Sequence, residues 1–89
     1  MRSGEKCKTI FEPLYNSIVS YLVDVRHAKG MTQREFAAKS GYYQCFIAKV
    51  ELNDRCLDFI EIIRYMKHLG LTKGEIKGKV AEWLEEFVE

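Results

Sequence analysis

At 89 residues the chain is long enough for one small domain, and such a domain buries roughly 60 to 65% of its unfolded surface, so it folds alone with little stability to spare. With 47% hydrophobic and 30% charged residues, one proline and six glycines, the composition excludes a low-complexity or disordered chain; no apolar run reaches the roughly 18 residues of a membrane span, no signal-peptide core follows the charged start, and a cytoplasmic protein is expected. The net charge of +1 hides an asymmetry, because residues 1–50 hold 8 Lys and Arg against 4 Asp and Glu while residues 51–89 hold 6 against 9; this is either ordinary scatter or one face that meets an anion.

Helical spacing recurs along the chain and strict alternation does not, which predicts an all-α domain of five helices spanning residues 1–89. Pro13 suits the first position of a helix, and Leu14, Ile18, Leu22 and Val25 then share one face until Gly30 offers a left-handed stop. Thr32 and Glu35 form a capping box, so a second helix runs from Gln33 to Gly41. A third, from about Gln44 to Glu51, turns Ile47 and Val50 inward before the polar stretch LNDR. Asp58 with Glu61 caps a fourth, lined by Phe59, Ile62, Ile63, Met66 and Leu69 up to Gly70. Thr72 with Glu75 repeats the device for a last helix over about 73–88, whose apolar stripe is Ile76, Val80, Trp83, Leu84, Phe87 and Val88. Gly74 and Gly78 weaken its first turns by about 1 kcal/mol each relative to alanine.

Cys7, Cys45 and Cys56 are odd in number and widely spaced, which suggests neither a disulfide framework nor a structural zinc site. Reduced thiols are expected, with no metal and no cofactor. Gln33 and Gln44 each lie off the apolar stripe just inside the start of a short helix. Around them, Gln33, Ala37, Gly41, Ile47 and Val50 have a spacing with a geometric cause: a small residue lets the next helix cross closely, a glycine redirects the chain, and two apolar residues pack the second helix on the first. Two short helices crossing at such a turn make a helix-turn-helix.

The stretches RHAKGMTQREFAAKSGYYQCFIAKVE and RCLDFIEIIRYMKHLGL resemble the Xre/Cro family of phage-repressor-like helix-turn-helix proteins over about residues 25–71. The shared pattern is an Arg, Gly-x-Thr-Gln, Ala, Gly, Gln, an apolar-x-Lys-apolar-Glu run and a Leu-Asp-led helix. The resemblance implies a lambda-repressor-like fold in which Gln33 holds a phosphate of double-stranded DNA and Gln44 reads adenine. Chemistry independent of the resemblance agrees: a helix N-terminus offers free N–H groups to phosphate, and an amide matches the N6 and N7 edges of adenine in a major groove. By the same resemblance Tyr43, Cys45, Ala48 and Lys49 stand near base edges or phosphates, and Arg26 with Glu51 forms a structural ion pair without a recognition role. Phe46 is expected to pack. The departures are Tyr43 where a capping Ser or Thr is common, Ser40 where an apolar residue is preferred, and Asp54 in the loop after Glu51, which leaves phosphate contacts there to Asn53 and Arg55.

His27 and His68 are each isolated, no Ser or Cys has an evident base partner and no phosphate-cradling glycine loop occurs, so no catalytic residue, enzymatic activity or small-molecule substrate is expected. The reading is a sequence-specific DNA-binding transcriptional regulator, a repressor acting as a homodimer without membrane contact. The alternatives are a protein-interaction module on the same scaffold and a redox regulator using Cys45. Val80, Trp83, Leu84, Phe87 and Val88 form either the dimer surface or additional core against the first and fourth helices.

Overall fold

The computed structural model describes residues 13–87, apart from the Phe87 side chain. Cys7 and Val88 lie outside the described residues. Those residues form five helices and no strand: α1 (Pro13–Ala28), α2 (Gln33–Ser40), α3 (Gln44–Glu51), α4 (Phe59–His68) and α5 (Lys73–Phe87). The all-α expectation holds, and α2 and α3 start at the residues that the capping and turn signals mark.

Capping chemistry sets three of the starts. The Thr32 hydroxyl accepts the Glu35 amide at 3.0 Å while the Glu35 carboxylate accepts the Thr32 amide at 2.8 Å. Asp58 with Glu61 does the same at 2.7 and 2.9 Å, and Thr72 with Glu75 at 3.2 and 2.9 Å. Each box satisfies two amides that a helix end would leave without partners. The Thr72 backbone N–H favours the ionised Glu75 and holds that carboxyl below its ordinary value. Stops are as local: Gly30, Gly41 and Gly70 all have positive φ. At Gly41 φ is 86° with open space around the Cα, so the glycine is needed for its backbone and not for room.

The core gathers Tyr15, Ile18, Val19 and Leu22 of α1, Phe36 of α2, Ile47 and Val50 of α3, Leu57, then Ile62, Tyr65, Met66 and Leu69, and Trp83 of α5. Two predicted stripes are rotated from their expected positions. On α1 the buried line is Tyr15, Ile18, Leu22 and Arg26, with Leu14 and Val25 half-exposed, because the Tyr15 hydroxyl turns inward to accept a hydrogen bond and Arg26 is buried as an ion. The Leu57 amide donates to the Tyr15 hydroxyl at 3.0 Å. On α4, Tyr65 takes the inner position and Phe59 is 63% exposed.

Tyr65 stands at the centre of an aromatic cluster, 5.2 Å from Phe36 edge-to-face and 5.5 Å from Tyr42 in a stack. Its hydroxyl is buried without a hydrogen-bond partner among the described residues. Desolvation pushes that hydroxyl well above the ordinary phenol range. Its folded value is therefore above the unfolded one, and the associated stability is present below about pH 10 and lost as pH rises further. Tyr65→Phe removes no hydrogen bond, so it should change stability by less than about 1 kcal/mol at pH 7 and flatten the loss of stability above pH 10. Phe36→Ala should cost about 3 to 5 kcal/mol. Urea unfolding at both pH values measures these effects.

Candidate nucleic-acid interface

Three local features build this face. Gly41 closes α2 and donates its amide to the Ala37 carbonyl at 3.0 Å. Ser40, unusual at its position, accepts the Tyr42 amide at 3.1 Å and so helps shape the turn. Tyr42, which spacing alone does not single out, then fills the junction of three helices, with ring centroids 6.0 Å from Phe36, 5.0 Å from Phe46 and 5.0 Å from His68. The turn thus holds α3 across α2 by aromatic packing, with Ile47 and Val50 fully buried beneath.

Above this base, α3 presents Tyr43, Gln44, Cys45 and Lys49 to solvent, with Ala48 half-buried between them. Tyr43 is the N-cap in an extended conformation and makes no side-chain cap, which leaves the first-turn amides without a side-chain acceptor. Cys45 is a free, exposed thiol. Phe46 points away from the open side and carries the Arg55 guanidinium 5.4 Å above its ring.

The most constrained element is a buried ion pair. Arg26 donates from Nε to Glu51 Oε2 at 2.7 Å and from Nη2 to Glu51 Oε1 at 3.0 Å, with both side chains about nine-tenths buried. A further donation from Arg26 Nη1 reaches the Met31 carbonyl at 2.7 Å, and Nη2 lies 3.2 Å from His27 Nε2. Gln33 joins the same carboxylate, its Nε2 donating to Glu51 Oε1 at 2.9 Å. One phosphate candidate is therefore wired into the brace, a connection that the spacing of Arg26, Gln33 and Glu51 does not reveal.

Gln33 and Gln44 line one open depression of about 610 Å³ together with Arg26, His27, Met31, Thr32 and Arg34. The two amides, eleven positions apart in sequence, thus face a common space. Spacing along the sequence singles out neither Arg34 nor His27 for this face. A detectable signal existed for Arg34, since a cation in the first turn of a helix opposes the macrodipole and is better placed for an external anion.

The loop after α3 is turned inward. Asn53 has φ of 62° and donates its side-chain amide to Asn16 Oδ1 at 3.2 Å, while its own Oδ1 is buried without a partner among the described residues. Arg55 donates to Glu61 Oε2 at 2.7 Å and to the Cys56 carbonyl. Of the C-terminal stripe, Trp83 is 7% exposed and meets Tyr21 edge-on at 5.8 Å, and Val80 packs at the core margin, whereas Leu84 is 54% exposed. Leu84 borders an apolar groove of about 350 Å³ lined also by Leu14, Ile18, Phe59, Ile62 and Trp83. No group of three or more His, Cys, Asp or Glu among the described residues could hold a metal, and no helix there is long and apolar enough to cross a membrane.

No protein-family model matches the sequence, and neither does any curated protein. A solved structure does match. It is the restriction-modification controller protein C.Esp1396I, a tetramer in complex with its natural 35 base-pair operator, with a TM-score of 0.68 and 25% identity over 82% of this chain and 96% of that one. The chain has the helix-turn-helix fold of a DNA-binding regulator. Removing one member of a buried pair leaves the other charge uncompensated, so Glu51→Ala should cost about 3 to 5 kcal/mol. A fall in Tm no larger than that of an exposed substitution such as Lys49→Ala would show that the brace contributes little.

Proposed function

We propose that the protein is a cytoplasmic, sequence-specific DNA-binding transcriptional regulator of Xre/Cro type, a repressor that binds as a homodimer with α3 in the major groove. The observation that carries the reading is the shared depression at the starts of α2 and α3, which brings Gln33 and Gln44 together on a helix-turn-helix. Supporting it is the similarity to a controller protein bound to its operator.

In this pose the roles divide by chemistry. Gln44 offers a donor and an acceptor to adenine, Tyr43, Cys45 and Ala48 meet base edges or thymine methyl groups, and Gln33, Lys49 and Arg34 meet phosphates. Asn53 and Arg55 are already used within the fold, so they serve phosphates only through their remaining N–H groups. For the second subunit, the exposed apolar surface is Leu84 with Phe59 and Ile60 at 63% and 55% exposure, beside the apolar groove. The same patch favours one other reading, an interaction module that docks a different protein there and does not bind DNA.

Selection of bound sequences from random duplex DNA identifies the preferred site and separates the readings. On that site Gln44→Ala should cost about 1 to 3 kcal/mol and relax one base position, whereas Gln33→Ala should weaken preferred and scrambled duplexes by similar factors. Lys49→Ala should reduce the magnitude of the salt slope by about 0.9. Absence of salt-dependent binding of either duplex by the parent would point to the interaction module, and unchanged discrimination by Gln44→Ala would remove Gln44 from base readout.

The subunit surface has its own test. Leu84→Glu should give folded monomers in sedimentation and weaken binding to a two-half-site duplex. Trp83→Glu should instead unfold the protein, since Trp83 lies within the monomer. A folded dimer from Leu84→Glu would move the interface elsewhere.

A further inference from the structure

The Arg26–Glu51 pair has a third member, and that member lines the depression. Glu51 Oε1 accepts both Arg26 Nη2 at 3.0 Å and Gln33 Nε2 at 2.9 Å. A carboxylate only accepts, so the Gln33 amide is held with its nitrogen toward Glu51. One N–H is thereby committed and the second N–H and the carbonyl oxygen are left for a ligand. Glu51 itself cannot turn, because Arg26 grips both of its oxygens. The guanidinium also neutralises a carboxylate that would otherwise repel an approaching phosphate.

We propose that Glu51 is a positioning residue for the DNA contact of Gln33: the brace presets the glutamine rotamer so that its free N–H meets a phosphate oxygen without further ordering. The inference rests on the DNA-binding reading above. It gives the ion pair a second use, and it links the C-terminal end of α3 to the first residue of α2 through one side chain. Ordering a long side chain on binding typically costs about 0.5 to 1.5 kcal/mol, a factor of roughly 2 to 12 in affinity. That factor is what the preset amide saves.

The test replaces the whole brace, because a buried pair exchanged for apolar residues of similar volume is often tolerated. Binding of a mixed-sequence duplex is measured by fluorescence anisotropy for the parent, Gln33→Ala, the double variant Arg26→Met with Glu51→Met, and the triple combination. In the parent, Gln33→Ala should weaken binding roughly tenfold; in the double variant the same change should cost less than about threefold, because the released amide no longer contributes in full. Equal factors in both backgrounds, with binding intact, overturn the positioning role and leave the DNA reading standing. Absence of salt-dependent duplex binding by the parent overturns both. Should the double variant not fold, NMR of the parent decides, since the Gln33 side-chain amide should be markedly more rigid than that of exposed Gln44. Equal mobility of the two amides overturns the proposal.

Discussion

The bidentate contact between Arg26 and Glu51 is the constraint on which the helix-turn-helix geometry depends. It ties the last turn of α1, the Met31 carbonyl in the following loop, the first residue of α2 and the last residue of α3 into one network. Aromatic packing at Tyr42 fixes the other side of the same helix pair. An apolar contact in place of the ion pair would accept several rotations of α3 about its axis, whereas a planar fork on a planar carboxylate accepts one. The desolvation of two charges is the cost of that selectivity.

Much of this was legible in the sequence because it is local. Capping boxes and left-handed glycines are encoded within four residues, so both ends of α2 and the start of α4 follow from Thr32, Gly41, Asp58 and their partners. The helix-turn-helix and its exposed residues Tyr43, Gln44, Cys45 and Lys49 follow from spacing on α3. What spacing does not carry is which side chain wins an inner position when two are eligible. Tyr65 goes in because Phe36 and Tyr42 offer it ring contacts, while Phe59 stays exposed. Trp83 goes in because Tyr21 of α1 offers an edge. The bond from Gln33 to Glu51 spans eighteen residues and depends on the final crossing of two helices, so no linear pattern reports it.

Two of the cations near this face are committed within the fold. Arg26 is held by Glu51 and Arg55 by Glu61, whereas Lys49 and Arg34 are exposed. In the proposed pose, discrimination would then draw on amide geometry more than on charge, consistent with a chain whose overall charge is only +1.

The three capping boxes carry a further consequence, for the order in which the chain folds. Each is closed by residues three apart, and helical proteins dominated by such local contacts have low contact order and fold in microseconds to milliseconds. Helix starts are therefore specified by contacts that need no long-range packing. The slowest event is then expected to be the docking that brings Arg26 to Glu51 across 25 residues, and a nucleus built there would form α1, the turn and α3 together while α5 adds last.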